Sequence, residues 1–125
     1  MQLYANIGHL HKDFAPCLKK ITMSRIEKLL TYLKQNNKDS FLQHALALEY
    51  IKVGDDDAAR KLFNEILRRE PSYVGSYYHL GKLLERQADF DRAMAVYRRG
   101  MEEAKKADDH HSLTELRGAL EDIEE

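Results

Sequence analysis

The chain has 125 residues, 43% hydrophobic and 33% charged, which suits one soluble globular domain with a modest core. Its 20 Lys and Arg are balanced by 21 Asp and Glu, so no net field draws in nucleic acid or an acidic membrane surface. The single Cys17 cannot close an internal disulfide and no run of 18 apolar residues occurs, so the expected setting is the cytoplasm, without a membrane.

Residues 1–22 are irregular. Tyr4, Ile7, Gly8 and His11 have the spacing of a helix stripe, but Pro16 falls where a following helix should be under way. Three readings stay open: a degenerate repeat, a loosely held arm, and a chain that starts at Met23. From Ser24 the signals become regular. Ser24-Arg25-Ile26-Glu27 has the form of a capping box, and Ile26, Leu29, Leu30 and Leu33 make an apolar stripe that fades at Gln35. Ser40-Phe41-Leu42-Gln43 reads as a second box, opening a helix that stops at Gly54, a residue suited to left-handed backbone. Asp55, Asp56 and Asp57 open the next helix as caps and dipole partners; they lack the alternating acids and following Gly of a calcium loop.

That helix stops before Pro71, because the residue preceding proline is pushed out of helical geometry. The next begins at Tyr73 or Val74 and runs to about Gln87. Phe90, Met94, Tyr97, Met101 and Ala104 then trace another at steps of 4, 3, 4 and 3. A last helix carries Leu113, Leu116, Leu120 and Ile123 on one side, with Asp109 and Ser112 competing to cap it.

Two of these helix pairs are copies. Leu46, Ala47 and Tyr50 answer to Leu80, Gly81 and Leu84, and Ala59 and Phe63 to Ala93 and Tyr97, always 34 residues apart. Ala47 and Gly81 are the small members of their stripes, where a neighbouring helix can approach; a large side chain there overpacks the contact at ~1 to 3 kcal/mol. The pattern resembles the tetratricopeptide repeats, whose signature is W-x2-L-G-x2-Y, A-x3-F and P over 34 residues. Gln43 stands in place of the tryptophan, Pro71 matches the proline, and Lys105 replaces it in the second unit, which lets that helix run on. The resemblance implies an all-α superhelix of about six helices: an arm at 1–22, a half repeat at 23–39, repeats at 40–73 and 74–107, and a capping helix at 108–125.

Catalysis has no visible constellation, with no Gly-rich phosphate loop, nucleophile elbow or His-Glu-x-x-His. His9 with His11, and His110 with His111, lack the further ligands that a metal requires. No enzyme activity, cofactor or metal is expected. Arg60, Lys61, Arg68, Arg69, Arg92, Arg98 and Arg99 read as a solvated outer face rather than a nucleic-acid strip, because Glu65, Glu70, Glu102 and Glu103 interrupt them. A second stripe, about 120° round each first helix at 100° per residue, holds Phe41, His44, Leu48 and Ile51, then Gly75, Tyr78, Lys82 and Glu85. In proteins similar to tetratricopeptide repeats this stripe lines a groove for a peptide or helix of a partner protein. Some of them clamp a chaperone carboxylate there with Lys and Asn; the His44, Leu48, Tyr78 and Lys82 of this chain do not reproduce that clamp. The resemblance thus implies an adaptor or scaffold, and the alternative is a self-associating unit whose groove is filled by residues 1–22 or by another copy.

Overall fold

The structure, a computed structural model, describes residues 25–124; the expectations placed on the 1–22 arm, on Cys17, on Met23 and on the Ser24 cap lie outside these residues. The described residues form six helices and no strand: α1 over 25–35, α2 Ser40–Lys52, α3 Asp56–Arg69, α4 Gly75–Arg86, α5 Phe90–Lys106 and α6 His110–Glu124. Helix α2 packs on α3, α3 on α4, α4 on α5 and α5 on α6, and α4 also touches α6. An Arg25–Glu49 ion pair at 3.7 Å links α1 to α2.

Aspartates start most of these helices. Asp39 accepts from the Leu42 amide at 3.0 Å, Asp55 from Ala58 at 3.2 Å, Asp89 from Arg92 at 3.3 Å and Asp109 from Ser112 at 3.0 Å, each satisfying an amide that the helix leaves unpaired. Two capping expectations are thereby resolved. Asp109, not Ser112, caps α6. Asp39, not Ser40, caps α2, since Ser40 lies inside the first turn and is buried, its hydroxyl donating to Glu70 Oε1 at 2.8 Å. Helix α4 has no side-chain cap; it enters directly from Val74 in helical geometry.

The core is continuous from Ala47 in α2 to Leu120 in α6. Phe63 and Tyr97, the large members of the two copied second helices, are fully enclosed, as are the small Ala47, Ala59 and Ala93. Gln43, standing where the repeat pattern has tryptophan, is 4% exposed and fully engaged: its amide nitrogen donates to Asn37 O and Glu65 Oε2, and its oxygen accepts from Arg69 at 2.6 Å. Three hydrogen bonds offset the desolvation that an apolar ring would avoid. One member of the α1 stripe departs from expectation: Ile26 is buried, but Leu30 is 42% exposed. Helix α5 runs three residues longer than α3, through the Lys105 that replaces proline.

Candidate functional site

The candidate surface lies where the first helix of each pair, α2 and α4, sit side by side. The expected stripe residues are placed unequally. Phe41 is 69% exposed near the start of α2. Leu48 and Ile51, about two and three turns further on at 3.6 residues per turn, are partly covered and lean on the core, as does Tyr78 on α4. The stripe is therefore a shallow apolar surface rather than a row of free side chains.

His44 is drawn inward. Its Nδ1 shares a 2.9 Å hydrogen bond with Ser76 Oγ, and its ring meets those of Phe63, Tyr73 and His79 at centroid distances of 5.5 to 5.7 Å. Burial, assisted by the neighbouring His79, holds its pKa down to about 4, so the ring is neutral at physiological pH. Burial also lowers the pKa of His79, against the opposing pull of Glu115 on α6. A Ser–His pair invites a nucleophile reading, but Ser76 is wholly buried and its hydroxyl cannot reach a substrate. The pair serves to join α2 to α4.

The charged end is also engaged. Lys82 Nζ lies 5.7 Å from the centre of the Tyr78 ring and 3.6 Å from Glu85 Oε2, and Glu85 accepts a short hydrogen bond from the Tyr97 hydroxyl. Burial first, and then this carboxylate, push the Tyr97 phenol far above its ordinary range, so it remains a donor. Gly75, at the start of α4, has open space where a Cβ would stand. Stripe counting missed Ser76, Tyr73 and His79, because it treats each helix by itself. The available signal was the His44 to His79 separation of 35, one more than the repeat, which turns the two rings toward each other from adjacent helices. Among the described residues no group of acidic, His or Cys side chains is arranged to hold a metal, and no helix is long and apolar enough to cross a membrane.

The tetratricopeptide repeat family profile matches residues 50–116. No curated protein matches the chain. Among solved structures, the crystal structure of a tetratricopeptide repeat domain protein from Salinibacter ruber is 41% identical, covering 69% of this chain and 96% of its own, with a TM-score of 0.67. A protein of Bordetella parapertussis solved in solution is 27% identical over 77% of this chain and 84% of its own, also at 0.67. The crystal structure of MamA shares the fold at 20% identity, covering 74% of this chain and 50% of its own, with a TM-score of 0.63.

Proposed function

The chain belongs to the tetratricopeptide repeat family, and from that premise we propose that it is a non-catalytic adaptor or scaffold which holds a peptide or helix of a partner protein on the stripe of Phe41, His44, Leu48, Ile51, Tyr78, Lys82 and Glu85. In this reading 23–39 is a half repeat, 40–73 and 74–107 are the repeats, 108–125 is the cap, and the work is done in the cytoplasm. The observation that carries it is Phe41, a large apolar ring 69% exposed on the same stripe of α2 as the partly covered Leu48 and Ile51. An aromatic anchor next to a shallow apolar floor is the arrangement that gives a few residues most of a binding energy. His44 and Glu85 take part as shape rather than as charge, since each is held by its own partner.

The test is capture from the native cell by the unmodified chain and by Phe41→Glu. An exposed position shifts stability by only ~0.5 kcal/mol, so the variant should melt normally and lose the captured protein. Normal capture by a normally melting variant would move binding off this stripe. If light scattering shows a mass that falls to the monomer in Phe41→Glu, the occupant is a second copy and the alternative reading holds.

A further inference from the structure

The opposite side of the stack carries a second cleft, between the second helices α3 and α5. Two hollows of about 470 and about 270 Å³ share Leu80 and Val96 in their lining and so form one trough. Its floor is apolar, with Leu80 4% exposed, and its four basic residues stand in two pairs: Arg60 and Arg92 at one end, Arg68 and Arg99 at the other. At the first end each guanidinium has a local carboxylate, Asp57 at 3.5 Å and Asp89 at 3.6 Å. At the second end neither Arg68 nor Arg99 pairs with a carboxylate among the described residues, and Glu103, one turn beyond Arg99, is taken by Lys106 at 3.3 Å.

The geometry points to a binding site for an acidic, extended peptide segment of another protein, with its carboxylates at the two arginine pairs and an apolar side chain on the Leu80 and Val96 floor. Eight helical residues separate Arg60 from Arg68, about 12 Å at 1.5 Å per residue. An extended chain covers that span in about four residues at ~3.3 Å each, so the recognised unit is acid, spacer, apolar, spacer, acid. Arginine suits this role because its planar fork binds carboxylates in pairs of hydrogen bonds. Charge complementarity selects the class. The chain as a whole is nearly neutral, at −1, and Arg60 and Arg92 share their charge with Asp57 and Asp89, so the attraction is a local one centred on Arg68 and Arg99. A nucleic-acid strand would need exposed rings on which its bases could stack, and Tyr77, the aromatic residue in the lining, is 2% exposed. The proposal is independent of the stripe on α2 and α4.

The experiment is fluorescence anisotropy with a labelled Glu-Ser-Leu-Ser-Glu peptide blocked at both ends, its Gln-Ser-Leu-Ser-Gln analogue, and a ten-nucleotide oligothymidylate. Arg68→Glu with Arg99→Glu is compared with Lys61→Glu plus Lys105→Glu, an equal charge change at exposed positions on the same two helices. Saturable binding of the acidic peptide is expected, with affinity at least tenfold lower for the glutamine analogue and for the arginine double variant, and within twofold for the lysine double variant and for Phe41→Glu. Absence of saturable binding would overturn the proposal, and so would equal losses in the two double variants at unchanged thermal midpoints. Tighter binding of the oligothymidylate would assign the trough to nucleic acid instead. If the chain self-associates and the acidic peptide dissociates it, the occupant is a second copy rather than another protein.

Discussion

Ala88 occupies a backbone position that ordinarily calls for glycine. Its φ of 61° matches the left-handed turn which Gly54, 34 residues earlier, takes at 86°. A Cβ in this conformation costs roughly 1–2 kcal/mol, so Ala88→Gly should raise the thermal midpoint by a few degrees despite the added freedom of the unfolded chain. The measurement is a pair of melts; no gain would show that the α4–α5 turn relaxes around alanine without strain. His44 carries a pH dependence. Its folded pKa of about 4 lies below the unfolded value of 6.5, so in this window the unfolded chain binds a proton that the folded chain refuses. Stability is therefore whole above about pH 6.5 and declines toward pH 4, by on the order of 2 kcal/mol for a ring that retains some solvent contact. His79 adds to it in the same direction. Denaturant midpoints measured from pH 7.5 to 4.5 should show this slope, and His44→Gln, which keeps an amide for Ser76, should reduce it.

At the scale of the element, α5 lies tight against α4 at Gly81. A Cβ built there would overlap the Tyr97 ring, and that ring cannot yield because it is fully buried and its hydroxyl is held by Glu85. Gly75 on the same helix meets nothing within 4 Å. Gly81→Ala should therefore lose about 1–3 kcal/mol through overpacking, while Gly75→Ala stays level or gains up to ~1 kcal/mol of helix propensity. Equal midpoints would mean that α4 can shift along α5. The periodicity of apolar residues made these elements readable before any contact was known, since each helix shows its stripe at steps of 3 and 4. Their starts were less readable. Asp39 and Ser40 both have capping chemistry, and the packing of Ser40 against Glu70 and Arg69 decided between them.

Across the whole molecule, each pair of helices buries one face against the next, so the stack depends on how its ends are closed. Helix α6 closes the described C-terminal end with Leu116, Ala119 and Leu120, all buried, while its other faces carry Glu115, Arg117, Glu121 and Asp122 to solvent. Leu116→Ala should cost about 2–5 kcal/mol, a large share of the ~5–15 kcal/mol total of a typical domain. A chain ending at residue 107 should lose its sharp, cooperative unfolding altogether, a change that circular dichroism melts would register; a truncated chain with an unchanged melt would show α6 to be an appendage.

The sequence by itself determined the all-α class, the 34-residue period and the small and large partners at Ala47, Gly81, Phe63 and Tyr97, because repeated packing demands the same side-chain sizes at the same spacing. It also marked out Phe41, Leu48, Ile51 and Tyr78 as apolar members of a second stripe on α2 and α4, distinct from the stripe of Leu46, Ala47, Leu80 and Gly81. What only the tertiary structure decided is how far each stripe residue is free. His44 is tied to Ser76 and Glu85 to Tyr97, because neighbouring helices bring up partners that lie 32 and 12 residues away in the chain. The trough between α3 and α5 has the same origin. Its four arginines are scattered among Glu65, Glu102 and Glu103 in the sequence, and they become two pairs only when two helices set them side by side over a common apolar floor.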